Sequence, residues 1–140
     1  MKRTPFPVFL LALIIFIAAL NGFANEFSWY WRFSWLDMPM HFLGGFWVGG
    51  VALWATVFFR GTSVKDMREK PWLAYAISLA SVLIVSALWE SFEFGLDTLV
   101  SFSIQNSVSD TISDITLGAL GGVGASLYFI SGRYRKPKSI

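Results

Sequence analysis

Cysteine is absent from this 140-residue chain, which excludes a disulfide framework and a thiolate metal centre and leaves redox compartment unwritten. Charge is scarce. Asp, Glu, Lys and Arg make up 14% of the residues and hydrophobic types 55%, too little charge to cover the surface of a soluble domain of this size. No linker, low-complexity tract or repeat of useful period divides the sequence, so residues 1–140 are expected to form a single integral membrane domain. A phosphate loop, a nucleophile elbow and a dinucleotide fingerprint are also lacking.

What the sequence has is long apolar runs. Four reach the roughly 20 residues that cross a bilayer: residues 5–24, 38–59, 72–96 and 111–131. Backbone groups in hydrocarbon must bond within their own segment, so each run is expected to be a helix and the fold class an all-α, four-helix transmembrane bundle. Lys2, Arg3, Arg60, Lys65, Arg68, Lys70, Arg133, Arg135, Lys136 and Lys138 fall on one side, and Arg32 alone on the other. The positive-inside rule then puts both termini in the cytoplasm. The opposite connection, NEFSWYWRFSW (25–35), has the aromatic character of an interfacial belt. The first span also reads as a signal peptide, with Gly22-Phe-Ala24 as a cleavage pattern; its length favours an uncleaved helix, and the later spans keep their orientation either way.

This orientation gathers scattered acids at the outer face. Asp37 and His41 begin the second span; Glu90, Glu93 and Asp97 end the third; Asp110 and Asp114 begin the fourth. Spacings of three, four and seven put each set on one helical face. The faces continue into Gly44, Gly45 and Gly49, into Gly118, Gly121, Gly122 and Ala125, and into Ser86. Gly45, Gly49, Gly118 and Gly122 therefore read as packing positions, since Gly-x-x-x-Gly lets membrane helices approach closely. Asp37 and Asp110 also fit helix-start roles, with Ser107 to Asp110 forming a capping box, and Asp97 fits an interfacial one. Glu90, Asp114 and His41 lie inside their spans, where an ionised group costs about 2.5–3.5 kcal/mol on insertion scales.

Several carboxylates in a low-dielectric pocket need a positive partner: a divalent cation, shared protons or a cationic substrate. Oxygen ligands with one imidazole suit Zn, Mn, Mg or Fe. In that reading His41, Glu90, Glu93 and Asp114 are the metal ligands, Glu90 and Glu93 double as catalytic bases, and Asp37 and Asp110 support them from behind. The chemistry would be metal-dependent, on a lipid-like or cell-envelope substrate. Two other classes use the same residues: a non-enzymatic scaffold or partner subunit, and a small proton- or cation-coupled transporter. Transport is disfavoured because the inner halves of the helices offer serines and glycines but no acidic group along a path to the cytoplasm. Expected partners are the lipid bilayer and, through the glycine faces, a second copy in a homo-oligomer. The basic tail suits anionic lipid better than nucleic acid.

Three motifs carry a resemblance. Asp37-x-x-x-His41-Phe-x-x-Gly45, Glu90-x-x-Glu93 and Asp110-x-x-x-Asp114-x-x-x-Gly118, over roughly 36–125, resemble the small bacterial inner-membrane proteins of the YjdF type and, more distantly, the VanZ-like group. VanZ-like proteins carry a Glu-x-x-Gln and a third-motif Asn where this chain has Glu93 and Asp114, so a glycopeptide-related role is not implied. The resemblance implies a multi-pass protein of the bacterial cytoplasmic membrane.

Overall fold

The computed structural model describes residues 6–100 and 108–131, except the side chains of Leu96, Asp97, Thr98 and Val100. Lys2, Arg3, Ser107, the side chain of Asp97 and the basic positions Arg133, Arg135, Lys136 and Lys138 lie outside the described set. The elements run α1 (Val8–Glu26), α2 (Trp29–Arg32), a 3₁₀ turn (Ser34–Leu36), α3 (Asp37–Arg60), α4 (Val64–Glu69), α5 (Pro71–Val100) and α6 (Val108–Ile130). Among the described residues there is no strand. Helices α1, α3, α5 and α6 are each long and apolar enough to cross a membrane, and together they form a four-helix transmembrane bundle.

Helices α3 and α6 meet along a seam of glycine. A methyl on Gly45 would overlap the Gly118 carbonyl, and one on Gly121 would overlap that of Phe42. A methyl on Gly49 would come within 3.2 Å of the Gly122 Cα. Contacts of backbone against backbone need residues without side chains. Gly45 faces Gly118 and Gly49 faces Gly122, a constant offset of 73 residues, so the two helices run parallel. Continued toward their starts, the same register pairs His41 with Asp114 and Asp37 with Asp110.

Helix α5 runs the other way and fills the groove between them. Ser78 Oγ donates to the Gly122 carbonyl at 2.8 Å, and Ser126 Oγ reaches the Ala74 carbonyl at 3.3 Å. Val82 and Ser86 follow, a turn apart, against Gly118 and Gly122. Buried hydroxyls bonded to helix carbonyls satisfy polar groups that lipid would not. Helix α1 docks mainly on α3: buried Leu10 lies over Gly50, and the Trp47 indole N–H donates to the Leu10 carbonyl at 2.9 Å.

The two ends of the bundle differ. At one end Gly61 leaves α3 in a left-handed conformation (φ 68°), which glycine adopts without steric cost. Ser63 and Asp66 then close a capping box over α4. Val64 and Met67, three apart, are buried with Leu53, Val57, Ala74 and Phe129 in a wholly apolar core. The short helices α2 and α4 stand in regions where the sequence shows no apolar period long enough to announce a helix. The other end carries the acids.

Candidate metal centre

Asp37 stands in the first turn of α3, and its carboxylate lies 3.4 Å from His41 Nε2, four residues on. Asp114, from α6, stands 3.6 Å from the same nitrogen. Asp114 is deep, with 9% of its side chain exposed, and Asp37 is at the mouth, with 40%. One potential ligand atom from each of the three residues lies within 4.8 Å of the others.

Both separations exceed the 2.7–3.2 Å of a well-formed N–H···O bond. They are near the roughly 3.0–3.5 Å edge of a coordination polyhedron whose metal–ligand bonds are about 2.0–2.2 Å. Two oxygens and an imidazole nitrogen make a donor set for a borderline divalent ion. The glycine seam explains why these side chains meet. His41 precedes Gly45 by one turn and Asp114 precedes Gly118 by one turn, so the backbone approach that joins the glycines delivers the polar pair.

Glu90, on α5, is buried at 8% exposure and acts electrostatically on Asp114, as do Asp37 and Asp110. Glu93 is half-buried, held by the Trp89 indole N–H at 2.8 Å, and its charge acts on His41. The three-residue group that can close on one ion includes neither glutamate. The sequence reading places Glu90 and Glu93 among the ligands and Asp37 behind them; the geometry groups Asp37 with His41 and Asp114. Of the glycines, Gly45, Gly49, Gly118 and Gly122 are all buried, whereas a methyl on Gly44 would meet nothing within 4 Å.

Tyr30 belongs to the aromatic connection 25–35. Its phenol donates to Asn21 Oδ1 at 2.6 Å, and burial, then the charges of Asp37 and Glu93, push its pKa above the usual phenol value. Tyr30 therefore lies within electrostatic reach of Asp37 and Glu93, in the connection between α1 and α3. The sequence holds one further signal that reading span by span misses. Residues 37–49 and 110–122 share Asp-x-x-x-(His/Asp)-x-x-x-Gly-x-x-x-Gly, the pattern that the parallel seam superimposes.

Fold and site together define a multi-pass helical membrane protein with an Asp/His/Asp cluster at one end of its bundle. The profile of the family described as "Predicted membrane protein (DUF2238)" matches residues 1–135, and the chain belongs to that family. Among curated proteins and among solved structures, nothing matches the chain.

Proposed function

We propose that this protein is a metal-binding membrane protein, with Asp37, His41 and Asp114 as ligands to one divalent ion. The observation that carries the reading is the approach of two carboxylates, from separate helices, to one imidazole, with one potential ligand atom from each residue within 4.8 Å of the others. A bound cation would offset the repulsion between acids that share a low-dielectric site. It would supply Lewis-acid polarisation of an ester or phosphoryl oxygen, or an activated water. Glu90, whose charge acts on Asp114, and Glu93, whose charge acts on His41, are the candidates to remove or return a proton.

In this reading 1–140 is one integral domain with both termini cytoplasmic, supported by the sidedness of Lys and Arg, so the site opens to the outer face. The motif resemblance to YjdF-type proteins favours the bacterial cytoplasmic membrane. A site within the outer leaflet favours a lipid-linked or envelope-precursor substrate over a soluble one.

Elemental analysis of detergent-purified wild type, His41→Ala, Asp114→Asn and the distant control Asp66→Asn tests the proposal, after a mild chelator wash. Expected is near-stoichiometric Zn, Mn, Mg or Fe in wild type and control, lost in the two site variants. Metal-free wild type with intact helicity would overturn it and leave His41 as an imidazolium clasp between two carboxylates.

A further inference from the structure

At the end of the bundle opposite the acids, the chain turns from α3 through α4 into α5 within a dozen residues. Exposed aromatics stand on either side of that turn. Phe59, one residue from the end of α3, is 72% exposed, and Trp72, the second residue of α5, is 66% exposed. Phe59 is seated all the same, its ring edge-on to Phe58 at 4.7 Å and to Trp54 at 6.3 Å. Aromatic side chains at the ends of spans sit at headgroup depth. Arg60 follows Phe59 and Lys70 stands two residues before Trp72, so both cations fall at the level of lipid phosphates.

Between them α4 is fixed in place by its capping box and by Val64 and Met67, buried in the apolar core. Both acids of the turn are already engaged: Asp66 closes the capping box, and Glu69 pairs with Lys65 at 3.5 Å. Arg60, Arg68 and Lys70 are exposed and, among the described residues, stand in no ion pair. We infer that this turn is a docking surface for anionic phospholipid headgroups, with Arg60, Arg68 and Lys70 taking the phosphates and Phe59 and Trp72 setting the depth. Basic clusters just beyond a span attract anionic lipid. A surface already ordered by packing also has less conformational freedom to lose on binding. The two flanking interfacial aromatics favour the membrane itself, over a soluble acidic partner, as the source of the negative charge.

Native mass spectrometry of the full chain in detergent tests this, with phosphatidylglycerol titrated against phosphatidylcholine of identical acyl chains. Phosphatidylglycerol should bind the tighter. Arg60→Gln, Arg68→Gln and Lys70→Gln should each cut that preference about five-fold, the effect of one cation near an anionic surface. Lys65→Gln removes the same charge, but one that Glu69 already offsets, and should cost less than about two-fold. Glu69→Gln, which frees Lys65, should strengthen the preference. Equal binding of both lipids would overturn the inference, and so would a preference that survives the three substitutions at Arg60, Arg68 and Lys70 together. Equal losses at Arg60, Lys65, Arg68 and Lys70 would overturn it by showing general charge attraction alone. Binding of polyglutamate in place of phosphatidylglycerol, lost in the triple variant, would overturn it by giving the surface to an acidic polypeptide.

Discussion

A single methyl separates two classes of glycine in this chain. At Gly45 and Gly121 it would overlap backbone of the facing helix, whereas at Gly22 and Gly44 it would meet nothing within 4 Å. Gly45→Ala and Gly121→Ala should therefore destabilise the protein by about 1–3 kcal/mol, the usual range for overpacking. Gly22→Ala and Gly44→Ala should be neutral or stabilising by up to about 1 kcal/mol through helix propensity. Thermal unfolding in detergent, followed by circular dichroism, separates the classes; uniform losses at all four would show that the seam is not special. Tyr30 gives a second residue-scale test. Because Asp37 and Glu93 raise its pKa in addition to burial, Asp37→Asn or Glu93→Gln should lower it. Phenolate absorbance against pH, with Tyr30→Phe subtracted, reads the change. This coupling is invisible in sequence, since nothing in FSWYWRFSW says which aromatic turns over the acids.

At the scale of elements, α4 depends on its cap. The Asp66 carboxylate accepts the Ser63 backbone N–H at 2.8 Å, while Ser63 Oγ accepts from the Asp66 N–H at 3.0 Å. The Ser63 backbone bond, then its side chain, holds the Asp66 carboxyl below its usual pKa. A depressed folded-state value means the stabilisation is complete above the unfolded value of about 4 and is lost as pH falls through the folded one. Amide-exchange protection in α4 should thus be flat near neutrality and decline in acid, and Asp66→Asn should be weaker and flat throughout. A wild type without acid decline would refute the cap's role. The long helices were legible because about 20 apolar residues leave few alternatives. Helices α2 and α4 were not, because six residues or fewer at an interface give no usable period; Val64 and Met67 alone mark the buried face of α4.

The whole molecule has two chemically distinct ends, and topology decides which faces outward. Lacking cysteine, the chain accepts single reporter thiols. Ser28→Cys should react with a membrane-impermeant maleimide in intact cells, and Thr62→Cys only after permeabilisation. The reverse pattern would invert the proposed orientation and move the acidic site to the cytoplasm. Much of the site was legible: i,i+4 spacing aligned Asp37 with His41 and Asp110 with Asp114, because helical geometry alone fixes neighbours on one element. Which acids close around the imidazole was not, because that depends on the register of helices 73 residues apart. Asp37 shows the ambiguity well, since an acid at a helix start has a local role available whether or not α6 brings a second carboxylate to the same imidazole.

The glycine seam repeats every four residues on both helices, like a rack with teeth of equal pitch. Sliding by one tooth would still set one glycine of α3 against one of α6, so close approach by itself does not fix where α3 stops against α6. The polar end does. Sliding by one turn would set His41 against Gly118 or Asp110 and leave Asp114 buried without its imidazole, and a buried charge stripped of its partner is strongly disfavoured. The cluster is thus expected to act as the end stop of the rack. In a His41→Leu, Asp114→Leu double variant, spin labels at Phe59 and Leu127 should show a second distance population displaced by roughly 5–6 Å along the axis. A single unchanged peak would show that the glycines and their serine bolts hold the alignment unaided.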